Sequence, residues 1–195
     1  MRRFRPDAGF GGQRRRGATS SHPAREPERT DDPDPGEDAE SGADLAGFDA
    51  ADCKRCALDL LARREYSRLE LERKLGARGF AADAIAAALD GLEQSGALAG
   101  DRFTESFIRS RAARGQGPVR VRAELAARGV DQALVTAALA KPGIDWAEIA
   151  AAVRSKRFGA EVPRDFNERA RQMRFLEYRG FERAQIDAAL GKGDD

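Results

Sequence analysis

The chain has 195 residues, 41% of them hydrophobic and 34% charged, and carries a formal net charge of +1. No apolar run approaches the roughly 18 residues of a membrane-spanning helix, and two cysteines in a chain of this size set up no disulfide framework. Membrane-spanning and disulfide-scaffold classes are therefore excluded. The length suggests one or two domains, and a cytoplasmic location is expected.

The first fifty residues differ from the rest. Residues 2–16 carry six Arg and one Asp, and residues 26–52 carry eleven acids against one Arg. The opening MRRFRPDAGFGGQRRRG is followed by no apolar stretch, so it reads as no secretory signal. Little in this segment can be buried to offset the entropy of ordering, and residues 1–50 read as a disordered charged tail.

From Cys53 onward one phrase occurs three times: LGARGFAADAIAAAL (75–89), LAARGVDQALVTAAL (125–139) and LEYRGFERAQIDAAL (176–190). Leu71 and Leu75 are spaced i,i+4 and share a helical face. Gly79 fits the left-handed position just past a helix end, where a Cβ is penalised. The residue after that Gly then touches the one five back, pairing Phe80 with Leu75, Val130 with Leu125 and Phe181 with Leu176. A second helix starts at once, marked by Ile85 and Leu89, Val135 and Leu139, and Ile186 and Leu190. Each phrase is thus a capped helix, a tight corner and a helix packed back on it.

A third helix lies upstream of each phrase: CKRCALDLLARREY (53–66), DRFTESFIRSRAARG (101–115) and DWAEIAAAVRSKRFG (145–159). Asp101 and Asp145 read as N-caps, and Gly115 and Gly159 as stops. Ser67 with Glu70, Asp145 with Glu148 and Asp165 with Glu168 have capping-box spacing. Gly117-Pro118 puts Pro at a first helical position. The prediction is an all-α chain of three tandem three-helix repeats, over 51–98, 99–142 and 143–195, stacked as an elongated, curved array behind the tail.

Catalysis finds no support in this pattern. The single His, His22, lies in the tail. Cys53-x-x-Cys56 has redox or half-zinc spacing, but no second Cys or His pair completes a tetrahedral site, and Cys56 reads as a small apolar side chain. RGQGPVR (114–120) lacks the Lys-Ser/Thr pair and preceding strand of a phosphate-binding loop, and reads as a flexible corner into a Pro-started helix. No enzyme, metal or cofactor is expected. Base-specific DNA reading is also disfavoured, because the helices after the corners are Ala-rich and offer only Gln132, Arg183 and Gln185 as readers.

The basic residues gather elsewhere. Arg109, Arg111, Arg114, Arg120, Arg122 and Arg128 face a single acid, Glu124, between residues 109 and 128, and 29 of the 34 basic residues are Arg. Guanidinium forks suit carboxylates and phosphates. Charge clustering nominates Arg109, Arg111, Arg114, Arg120 and Arg122 as a contact set for an acidic protein or a nucleic-acid backbone, with Arg154, Lys156 and Arg157 as a second patch. Phe103, Phe107, Trp146 and Phe158 sit at core spacing, so few aromatics remain to stack on bases.

Three blocks carry a resemblance: ALDLLARREYSRLELERKLGARGF, LAGDRFTESFIRSRAARGQGPVRVRAELAARGV and RFGAEVPRDFNERARQMRFLEYRGF. In that order they resemble the bacterial RecX regulatory family over about residues 53–190, the segment from Asp101 through the Arg-Gly-x-Gly-Pro corner being the most diagnostic. No obligate dimer seam shows in the sequence, so a monomer is expected. The resemblance implies a protein that lodges in the groove of the RecA recombinase filament. It also implies restraint of ATP hydrolysis, strand exchange and coprotease activity in DNA repair and recombination. The alternative reading of the basic residues is a helical-repeat protein that binds single- or double-stranded DNA without RecA.

Overall fold

Nine α-helices and no strand occur among residues 49–191, the part of the chain that this computed structural model describes. The tail expected over 1–50, His22 included, lies outside the described residues except for Asp49 and Ala50. The helices are α1 (Ala50–Leu61), α2 (Arg68–Ala77), α3 (Ala82–Gln94), α4 (Gly100–Ala113), α5 (Pro118–Ala127), α6 (Gln132–Leu139), α7 (Trp146–Phe158), α8 (Phe166–Tyr178) and α9 (Arg183–Leu190). They pack in threes, α1–α3, α4–α6 and α7–α9, as the repeated phrase predicts.

Each Arg-Gly corner closes its helix in the same way. Gly79, Gly129 and Gly180 have φ of +88°, +73° and +84°. The N–H of Phe80, Val130 and Phe181 donates to the carbonyl of Leu75, Leu125 and Leu176 at 3.3, 3.1 and 3.1 Å, and each Gly N–H donates three residues back. Both bonds of a Schellman cap are therefore present three times, satisfying carbonyls that a helix end otherwise leaves open.

The helix starts follow the sequence less closely. Ser67 and Glu70 complete a reciprocal capping box on α2, and Pro118 opens α5 behind Gly117. Asp145 and Asp165 cap α7 and α8 through their carboxylates. Glu168 does not return the bond; its carboxylate instead accepts from the Gln172 amide at 3.2 Å. Asp101 is no N-cap. Its helix begins at Gly100 behind Ala99, and its carboxylate accepts only from the adjacent Arg102 N–H. At the first helix Asp49 caps α1, which starts at Ala50, three residues before the expected Cys53.

Each trio has its own apolar core. Leu60, Tyr66, Leu71, Leu75, Leu89 and Leu92 are buried in the first; Phe103, Ile108, Val121, Leu125 and Val135 in the second; Ala150, Leu176, Phe181, Ile186 and Leu190 in the third. Each large side chain contributes roughly 1.5–3 kcal/mol on full burial. Trp146, half-buried, packs against both the second and third cores. Phe158, expected in the core, is also only half-buried and meets Phe175 edge-on at 5.2 Å.

The corners do a second job, which is to join the repeats. The Arg128 carbonyl accepts from Ser67 Oγ at 2.8 Å, and the Arg128 guanidinium pairs with Glu70 at 3.1 Å. Gly129 lies so close to the start of α2 that a Cβ there would come within 3.1 Å of Leu69. The next joint has the same construction. The Arg179 carbonyl accepts from the Gly117 N–H at 2.8 Å, and the Gly180 carbonyl from the Val119 N–H at 2.9 Å. A Cβ on Gly180 would sit 2.6 Å from the Arg120 backbone nitrogen, and one on Gly117 would sit 2.3 Å from the Gly180 carbonyl oxygen. Gly79 has no repeat before it, and nothing lies within 4 Å of where its Cβ would be.

RGQGPVR is therefore not a loose corner. Gly115, Gln116, Gly117 and Pro118 are all buried, and the segment is hydrogen-bonded to the following repeat.

Gly117 separates contact from conformation, because its φ of −85° suits any residue. Gly117→Ala is expected to lose about 1–3 kcal/mol through overpacking alone. Gly76→Ala, on helical backbone with nothing within 4 Å, is expected to gain up to about 1 kcal/mol. Urea unfolding of the two variants tests the joint, and a neutral Gly117→Ala contradicts it.

Candidate interaction groove

The arginines that cluster in the sequence separate into two groups in space. One group is held by a single acid. Glu124 on α5 accepts from Arg111 Nε at 2.8 Å on one oxygen and from Arg120 Nε at 3.0 Å on the other. Arg128 donates to the Glu124 backbone carbonyl at 3.0 Å, and the Arg111 and Arg128 guanidiniums lie 4.5 and 4.7 Å from the Phe107 ring centroid. A guanidinium over a ring face is favourable, and more so where water is excluded.

Arg111 is only 8% exposed, and Arg154 of the second patch only 4%. Arg154 donates to the carbonyls of Glu161 and Ala160 at 2.7 and 3.0 Å and clips the segment between α7 and α8 onto α7. The expectation that these two belong to a contact surface is corrected here: both are spent on the fold. The signal for this lay in the spacing. Arg111 is i+4 from Phe107 and i+8 from Phe103, and Arg154 is i+4 from Ala150, so both fall on core faces. Arg122 reaches Glu182 at 3.6 Å and is half-buried.

The second group lines an open groove of about 810 Å³ between the second and third repeats. One wall is the end of α4, with Arg109, Ala112 and Ala113, running into Arg114 and Gly115. The other is α7, whose Glu148, Ile149, Ala152, Val153, Lys156 and Arg157 follow the three- and four-residue spacing of one helical face. Gly143, Ile144 and Asp145 lie at one end, and Phe175 and Arg179 of α8 complete the lining. Gly115 is what brings the walls together: a Cβ there would fall 2.4 Å from Val153 Cγ2.

The groove thus brings Arg109 and Arg114 of the first nominated set together with Lys156 and Arg157 of the second. It adds Arg179, which precedes the third corner Gly and stands outside both sequence clusters. Arg120 and Arg122 do not line it.

The charges in the groove are uneven. Among the described residues, Arg114, Lys156, Arg157 and Arg179 have no carboxylate within ion-pair distance. Arg179 lies over the Phe175 ring at 5.4 Å, and Arg109 has only a long contact with Glu105 at 3.8 Å. Asp145 and Glu148, at the start of α7, are the acids of the lining. Elsewhere Arg55, Arg64, Arg68, Arg102 and Arg183 are all paired with acids. Four cations without a carboxylate thus line one groove, while Lys54, Arg73, Arg169, Arg171 and Arg174 of the described residues also have none and lie outside it.

The cysteines stand apart from it. Cys53 is fully buried in the first core, and that burial, with Cys56 beside it, pushes its thiol above the ordinary range. A thiol held protonated is a poor nucleophile. Among the described residues no group of three or more His, Cys, Asp or Glu is placed to hold a metal ion, and no helix is long and apolar enough to cross a membrane.

Comparison with known proteins fits this architecture. Residues 53–92, 101–139 and 144–190 match the models of the first, second and third three-helix domains of RecX. The chain belongs to the RecX family. It is 48% identical over 143 residues to the regulatory protein RecX of Pseudomonas syringae pv. tomato, covering 73% of this chain and 92% of that one. With the regulatory protein RecX of Halorhodospira halophila it shares 44% over 150 residues, covering 77% and 93%. The crystal structure of RecX from Lactobacillus salivarius has the same fold, with a TM-score of 0.62 at 20% identity over 72% of this chain and 94% of that one. This RecX-family chain thus has curated relatives that are named as regulators.

The two classes of cation should respond differently to truncation. Arg154→Ala is expected to lose about 1–3 kcal/mol of stability, through lost bonds to two carbonyls. Arg157→Ala, at an exposed position without a partner, is expected to change stability by less than about 0.5 kcal/mol. Equal losses in denaturant unfolding would contradict this division.

Proposed function

We propose that this chain binds the RecA recombinase filament and restrains its ATP hydrolysis, strand exchange and coprotease activity, with the groove between α4 and α7 as its principal contact. The observation that carries this reading is the convergence of Arg114, Lys156, Arg157 and Arg179, none paired with an acid, on one groove in a chain of the RecX family. Cations with no acid partner of their own can meet an acidic surface at little desolvation cost. Arg109 extends the contact along the α4 wall. Arg120 and Arg122 have internal partners and contribute less.

The test is single-stranded-DNA-dependent ATP hydrolysis by RecA, titrated with this protein beside a DNA-binding control without RecA. Inhibition is expected well below the concentration that coats the DNA. Arg114→Glu combined with Arg157→Glu should shift the inhibition midpoint upward by at least about tenfold, roughly 1.4 kcal/mol. Arg120→Glu combined with Arg122→Glu should shift it less. An absence of inhibition, with strongly salt-dependent DNA binding in the control, would replace this reading with the DNA-only one.

A further inference from the structure

We infer that the groove between α4 and α7 receives one amphipathic helix of the protein partner, laid antiparallel to α7, with its acidic first turn against Lys156, Arg157, Arg114 and Arg179. The inference rests on the filament reading above and names what enters the groove.

Two features of the groove separate a protein segment from a nucleic-acid strand. The first is polarity along its length. α7 starts at Asp145 and Glu148 and ends at Lys156 and Arg157, and all four line the groove. A phosphate backbone is negative at every step, so a strand drawn to the basic end would be repelled by the two carboxylates at the other. A helix is not uniform. Acids are favoured in its first turn and bases in its last, because its backbone dipole is positive at the N-terminus. Laid antiparallel to α7, such a helix puts acids against Lys156 and Arg157 and bases against Asp145 and Glu148. The opposite orientation sets like charges against each other at both ends.

The second feature is the floor. Between the charged ends the groove presents Ala112, Ala113, Ile149, Ala152 and Val153. Phosphates gain nothing from such a surface, whereas the apolar stripe of an amphipathic helix removes it from water. The floor then supplies affinity, and the charges set direction and register.

Lys156 provides a direct test on the native protein. A zero-length carbodiimide reagent couples an amine only to a carboxylate in contact with it. With the full chain bound to RecA assembled on single-stranded DNA, Lys156 is expected to couple to an Asp or Glu in the first turn of a RecA helix. Coupling through Lys54, Lys74 or Lys141 with none through Lys156 would overturn the inference, as would coupling to an acid at a helix C-terminus.

Ala152→Trp supplies an independent arm. Position 152 is exposed, so the variant is expected to fold as the parent does, and it fills the floor without altering charge. It should weaken binding to the filament by at least about tenfold while leaving binding to single-stranded DNA alone unchanged. Wild-type filament affinity in Ala152→Trp would remove the groove as the docking site and leave the filament reading standing. Failure of the unmodified chain to bind the filament would remove both.

Discussion

The amide of Gly117 donates to the Arg179 carbonyl across a gap that no Cβ can enter, and the arrangement of the second and third repeats depends on that contact. A three-helix unit of about forty residues has little to bury by itself. Stacking such units normally relies on side-chain faces. Here the join is made by backbone, with two amides of one repeat bonded to two carbonyls of the next and glycine on both sides. Backbone bonds have no rotamers, so this joint holds its geometry more tightly than an interface of long side chains would. The groove inherits that order, since α4 ends in the same Gly115–Gly117 segment that the third repeat grips.

Charge pairing completes the division of labour. Glu124 holds Arg111 and Arg120, and Glu70 holds Arg128 across the first joint. Those arginines are positioned by partners within the chain. Among the described residues no acid lies within ion-pair distance of Lys156 or Arg157 at the end of α7. A surface that leaves its cations unpaired costs a little stability through repulsion, and it keeps them available to a partner.

The helices and their corners could be read in the sequence because their signals are local. A corner needs Gly at one φ, an apolar residue on each side and a four-residue spacing, all inside fifteen letters. The joints could not be read in the same way. Gly117 and Gly180 are far apart in the chain, and nothing periodic marks them as neighbours. Ser67 and Gly117 hold the same place before α2 and α5 yet look unrelated, since one joins through its hydroxyl and the other through its amide. The contact residues were partly legible. The arginine run reads as one patch along the chain, but successive residues on a helix point about 100° apart. That rotation turns Arg111 inward beside Phe107 and leaves Arg109 and Arg114 on the groove. The meeting of those two with Lys156 and Arg157 is a tertiary fact with no local sign.

The groove depends on the joint between the second and third repeats, and amide hydrogen exchange at Gly117 and Val119 reads that joint most directly. Both N–H groups lie at the start of a helix, where no intrahelical acceptor exists and exchange would ordinarily be fast. Bonded to Arg179 and Gly180, they are predicted to be protected to the level of core amides in α5, such as Leu125. Exchange of both at the rate of an open loop would show that the repeats are not locked, and the groove would then have no fixed form to recognise anything.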